Sequence, residues 1–139
     1  MPLKYAIHGD LNLVYVRYWG VTNVAETMEV FGQYSADPEY HPDQRHLVDL
    51  REVVEYERSF PELMKLQARK ADTVTRSRAP TMMVYHAPTR ISLTMARSIL
   101  KSWDGLGAVV GRIAQSEAEA LSMLGVDEEN FANLRKRTA

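Results

Sequence analysis

The chain has 139 residues and not one cysteine. That excludes disulfides, thiolate-bound metals and thiol nucleophiles, and it suits a reducing compartment. Surplus charge is also lacking. Seventeen Lys and Arg against eighteen Asp and Glu leave a formal net charge of -1, so no global field recruits nucleic acid or an anionic membrane. Seven glycines and six prolines are too few for a disordered or fibrous chain. The opening segment Met1-Pro2-Leu3-Lys4-Tyr5-Ala6-Ile7-His8 reaches a histidine and Gly9-Asp10 before any apolar run is long enough for a signal peptide or membrane span. A cytoplasmic location is expected. What remains is 45% apolar residues, enough for one domain with its own core.

Tyr5 and Ile7 alternate with polar neighbours, Gly9-Asp10 offers a turn, and Leu11 to Trp19 resumes an apolar, β-branched and aromatic run. This pattern predicts an opening β-hairpin. Asn23 and Glu26 have capping-box spacing before a helix with Val24, Met28 and Phe31 on one face. Asp37-Pro38 and His41-Pro42-Asp43 require a loop. The strand His46 to Leu50 follows, and Ser59 with Glu62 opens a second helix whose expected apolar stripe is Phe60, Leu63, Met64, Ala68, Ala71 and Val74. Lys65, Arg69, Lys70 and Asp72 are expected largely on its other faces. Thr81 to Tyr85 is the next strand. Ile91, Met95, Ala96, Ile99 and Trp103 form a third helical stripe, stopped by Asp104-Gly105. Ala108 to Ile113 is the last strand, and Ser116 with Glu119 caps a helix that ends at Gly125. The fold class is therefore α/β, a single domain over 1-126 with a mainly parallel four- to five-stranded sheet. Residues 127-139 form a tail with a short helix around Phe131 and Leu134 and a frayed Arg135-Lys136-Arg137.

This succession of hairpin, helix, strand, helix, strand, helix, strand and helix resembles the STAS-like family, which includes anti-sigma-factor antagonists. Three stretches are similar to its poorly characterised bacterial members: Leu13-Val14-Tyr15-Val16-Arg17-Tyr18-Trp19-Gly20, His46-Leu47-Val48-Asp49-Leu50-Arg51, and Glu117-Ala118-Glu119-Ala120-Leu121-Ser122-Met123-Leu124-Gly125. The resemblance implies a non-catalytic regulatory or protein-interaction domain. Regulatory members carry a phosphorylated Asp-Ser-Ser-Gly stretch after the Val-Asp-Leu strand. Here the corresponding segment reads Glu57-Arg58-Ser59-Phe60, with a cation in the phosphoacceptor's place. Ser59 is better employed as a helix cap.

In an open parallel sheet, ligands collect beyond the carboxyl ends of the strands. This selects Trp19, Asp49, Glu57, Arg58, Ser59 and His86 as candidate ligand- or partner-binding residues. Asp49, His86 and Ser59 are the residue types of a hydrolytic triad, but no Gly-x-Ser-x-Gly elbow is present and a capping serine has its oxygen engaged, so no catalytic residue is assigned. His41, Asp43 and His46 offer zinc ligands without a recognised spacing or a fourth partner, so neither metal nor cofactor is expected. Lys65, Arg69, Lys70, Arg76 and Arg78 make a basic region diluted by Asp72, read as a solvated face. Asp104-Gly105-Leu106-Gly107 precedes a strand instead of following one, which excludes a dinucleotide fingerprint.

Two functions remain open. One is a protein-interaction domain, with a second copy of the chain among the conceivable partners. The other is a carrier of a small molecule or lipid in a pocket at the strand ends, with Tyr15, Tyr18, Trp19, Phe31 and methionines 28, 64, 82, 83 and 95 as candidate lining. An enclosed apolar cavity separates the two, since only the carrier needs one.

Overall fold

The computed structural model describes residues 2–74, 80–103 and 108–136. Five strands, β1 (Leu3–His8), β2 (Leu13–Thr22), β3 (Arg45–Tyr56), β4 (Thr81–His86) and β5 (Val109–Ala114), form one sheet in the order β1-β2-β3-β4-β5. The β1-β2 hairpin is antiparallel and the other three pairings are parallel. The helices are α1 (Val24–Ser35), α2 (Phe60–Val74), α3 (Arg90–Ser102), α4 (Glu117–Met123) and α5 (Phe131–Lys136). Asp104-Gly105 and the basic residues Arg76 and Arg78 lie outside the described residues.

The α/β class and the hairpin start agree with the sequence pattern, with three adjustments. The hairpin connection is longer than a Gly9-Asp10 turn: a 3-10 turn over Gly9–Leu11 ends at Asn12, whose φ of 51° is left-handed, a conformation asparagine tolerates. Asn12 O then accepts from Arg45 N at 2.9 Å, and the Arg45 guanidinium donates to the carbonyls of Leu11 and Leu124, tying hairpin, β3 and the end of α4 together. Second, β3 does not stop at Leu50. It runs twelve residues, to Tyr56, and β4 accompanies it only from His46 to Asp49. Beyond that point Trp19–Thr22 pair with Glu52–Tyr56 as a two-stranded ribbon projecting past β1 and β4. Third, caps are made differently. Asn23, Ser59 and Ser116 each accept from the backbone N–H three residues on, at 2.8, 3.4 and 3.1 Å. Yet Glu62 turns to Lys65 and Glu119 to Gln115 N, and the reciprocal box is made by Thr89 and Ser92 at the start of α3.

The sheet is packed on both faces. On one, Leu3, Tyr18, Val48, Leu50, Met83 and Tyr85 meet α1 and α3. Gly111 leaves room for Leu100 here: a Cβ would stand 2.1 Å from Leu100 Cδ2, so any side chain would require Leu100 to shift. On the other face Leu13, Tyr15, Leu47 and Val84 meet Leu121, Leu124, Phe131 and Leu134 of the closing helices. Gly125, at φ 68°, allows Val126 N to donate to Leu121 O (2.9 Å) and Gly125 N to Ser122 O (3.0 Å), a Schellman ending that turns the chain back onto the sheet. The segment after 126, expected as a tail, thus carries two of the most deeply buried side chains, Phe131 at 2% and Leu134 at 0% exposure. We predict that Phe131→Ala costs about 3 to 5 kcal/mol and Leu134→Ala about 2 to 5 kcal/mol. Urea denaturation would reveal this, and unchanged midpoints would mean that α5 is not part of the core.

Candidate functional site

The three helices on the first face leave a gap beneath α2. This helix makes its backbone contacts chiefly with α1 and α3, not with the strands, and so bridges its neighbours as a roof. Its inner side is not the stripe expected from hydrophobicity. Phe60 and Met64 are 44% and 42% exposed and Ala68 is exposed, whereas Leu63, Leu66, Gln67 and Lys70 line the space below. These four recur at i, i+3, i+4 and i+7, one face of a helix. A roof over a cavity need not be wholly apolar, and so its polar members disguise the inward side. The first helix shows a smaller change: Val24, Thr27, Val30 and Tyr34 are its buried residues, and Met28 is only partly covered.

The resulting cavity has a volume of about 100 Å³ and is lined mainly by apolar atoms. Its floor is the sheet surface at Tyr5, Val16, Tyr18, Val48, Met83 and Tyr85. It runs lengthwise, from Glu57, Arg58 and Ser59 at the carboxyl end of β3 to His46 near the start of that strand. The strand order explains why the site is not a crevice confined to the carboxyl ends. Such a crevice forms where the order reverses, and here it never does.

The two ends differ chemically. At the first, Ser59 caps α2 while Glu57 accepts from Val24 N of α1 (3.3 Å). Arg58 pairs with Glu55 at 3.0 Å and lies over the Tyr56 ring. At the second, Tyr34 donates to Gln44 Oε1 (2.6 Å) and stands edge-on to the His46 ring, 5.7 Å between centroids. Lys70 Nζ sits 5.4 Å from the Phe31 ring. Burial, reinforced by the Lys70 charge, pushes the His46 imidazole down to about 3, so it is neutral at physiological pH. Burial also lowers Lys70, to about 8. His46 is therefore a wall residue of the cavity, apart from His41, which accepts from Asp43 N in its loop. Among the described residues no cluster of His, Asp and Glu could hold a metal.

Asp49 and His86 come together, but on the opposite face of the sheet from Ser59. Paired in register on β3 and β4, they join through Nδ1 and Oδ1 at 2.9 Å and are 1% and 2% exposed. Tyr15 donates to Asp49 Oδ2 (3.0 Å), Arg51 N donates to Oδ1 (3.1 Å), and Phe131 packs edge-on against His86. Burial would raise the Asp49 carboxyl, but the bonds from His86, the Arg51 amide and Tyr15, together with the attraction of His86, outweigh it and hold it below the usual range. This is a sealed polar knot without a nucleophile. Trp19 sits on the projecting ribbon beneath the Arg17 guanidinium (5.1 Å), beside Val21 and Val54, which are 66% and 63% exposed. Sequence reasoning missed Gln67, Lys70 and His46 as a group. The available signal was the shared helical face of Leu63, Leu66, Gln67 and Lys70.

Compared with protein-family models, curated proteins and solved structures, the chain matches none. No described helix is long and apolar enough to cross a membrane.

Two predictions follow from the ionisable groups. Asp49→Ala should destabilise by about 3 to 5 kcal/mol, because it strands a buried histidine and a buried tyrosine hydroxyl, and thermal or urea melts would measure it. The depressed His46 gives a pH dependence. Below its ordinary value of 6.5 the unfolded chain takes up a proton that the folded chain refuses until about 3. Stability present above pH 6.5 is therefore lost as pH falls through that window, by up to about 1.4 kcal/mol per pH unit. His46→Gln should flatten this limb in urea titrations between pH 6.5 and 4.

Proposed function

We propose that the protein is a non-catalytic binder of a small, mainly apolar molecule, held between the sheet and the helices α1 to α3 under α2. The observation that carries this reading is the cavity itself: a space of about 100 Å³, lined mainly by apolar atoms, between one packed face of the sheet and its helices. Close packing is the rule in protein interiors, and an unfilled apolar space forfeits contacts on every wall. A cavity of about 150 Å³ suffices for benzene, which sets the scale of occupant. The hairpin-first order of elements that resembles STAS-like domains supports a regulatory setting, in which occupancy of the cavity is the signal. The buried acid-histidine pair Asp49 and His86 is sealed from solvent, which favours binding over catalysis at that pair.

A protein-interaction role has its own support in the ribbon, which exposes the apolar side chains Val21 and Val54. The two roles are compatible, since the ribbon ends at Thr22 and Tyr56, both of which also line the cavity.

Native mass spectrometry of the full chain purified from its own host should show an added small mass that disappears on denaturation. Val48→Phe, which places a ring in the floor, should keep the fold and lose that mass. If the wild type carries no adduct and a fluorescent apolar probe does not bind it, the cavity is not a ligand site.

A further inference from the structure

The basic end of the cavity says what kind of molecule would fit. Lys70 and His46 stand there, from α2 and β3, and both line the cavity. Among the described residues neither has a hydrogen-bond or ion-pair partner; their contacts are with the rings of Phe31 and Tyr34. The neighbouring charged acceptor and the Gln44 carbonyl are already engaged, while Gln67 Oε1, one turn back on α2, is buried and takes no hydrogen bond among the described residues. Asp37 takes the Tyr5 hydroxyl (2.7 Å) and the Glu39 amide (2.9 Å), and Gln44 Oε1 takes the Tyr34 hydroxyl. The exposed lysine elsewhere on α2 behaves differently: Lys65 reaches back to Glu62 at 3.0 Å. A cation turned toward an apolar space without a counter-charge is a costly arrangement, and it becomes favourable once an anion joins it.

Resting on the reading of the cavity as a ligand site, we propose that the ligand is a small monocarboxylate with an apolar body, its carboxylate held by Lys70 with the His46 N–H as second donor. One negative charge matches one ammonium, since His46 is neutral. A phosphate dianion would remain uncompensated in the same space. The apolar body lies along the sheet beneath Leu63 and Leu66, between Val48 and Met95, where the lining offers rings, branched carbons and a thioether that adapts its shape. A body of no more than about six carbons is of the right order, since about 150 Å³ is filled by benzene. The carboxylate enters at the end of α1 and the tail points toward Ser59, which lies some ten residues earlier on the roof helix, about 15 Å away along its axis.

The test is a binding series with matched pairs, straight-chain and phenyl-substituted carboxylates beside the alcohols of the same skeleton, titrated calorimetrically into the full chain at pH 7. Wild type, Lys70→Met and Lys70→Arg are compared, with thermal melts to show that each is folded. The wild type should prefer the best acid over its alcohol by about ten-fold or more, the value of a charge-assisted contact. Lys70→Met should lose that preference while keeping the affinity for the alcohol, and Lys70→Arg should retain it. Equal affinities for acid and alcohol in the wild type, or a preference that survives in Lys70→Met, would overturn the carboxylate assignment and leave the cavity reading standing. If neither acids nor alcohols of any length bind, the cavity reading fails and the assignment falls with it.

Discussion

Every connection between neighbouring parallel strands has to cross the sheet with one handedness, and in this chain the strands follow each other in order from β1 to β5. The crossings from β2 to β3, β3 to β4 and β4 to β5 therefore all use one face, which receives α1, α2 and α3 together. Three helices in a row compete for that surface. The outer two settle on the strands, α1 against β1 and α3 against β3 and β5, and the middle one is left resting on its neighbours. The hollow under α2 is thus a consequence of topology before it is a consequence of any single side chain. The residues around it decide only whether it is filled, and here they leave it open.

The opposite face shows the contrasting solution. It is covered mainly by α4, α5 and the turn between them, and the buried Asp49-His86-Tyr15 group lies among close-packed leucines and Phe131. A buried acid and imidazole fully bonded to one another specify register: sliding β4 by one residue past β3 would carry His86 to the other side of the sheet and strand Asp49. Polar residues thus serve two ends in one small domain. On the sealed face they fix alignment, and on the open face they remain available.

Much of the framework was legible in the sequence because it depends on local chemistry. Asn23, Ser59 and Ser116 were identifiable as helix starts, Gly125 as a helix end and Gly9 with Asp10 as the site of a turn, since each satisfies a backbone requirement within a few residues. The extent of β3 was not legible, because Glu52, Glu55 and the exposed Val54 read as a loop unless the partner strand β2 is known to continue beside them. The site was legible in parts only. Asp49, His86 and Ser59 were noticed, but which side of the sheet each would occupy depends on where the crossover runs. Lys70 was placed on the solvated side because charge ordinarily belongs there, and Thr89 with Ser92 went unseen because the second arm of a capping box is usually Glu or Gln.

The contact between Tyr15 and Phe131 links residues from the second strand and the final helix, their rings 5.5 Å apart. During synthesis the hairpin, α1 and β3 leave the ribosome long before that helix exists. Until Leu134 is free of the exit tunnel, one whole side of the sheet has no cover, with Leu13, Leu47 and Val84 open to water and to other nascent chains. Local helices form early, but closure across so long a separation is slow and has its loop entropy to overcome. The growing chain is therefore exposed to aggregation for most of its translation, and it is the arrival of two short helices, not the completion of the sheet, that ends this interval.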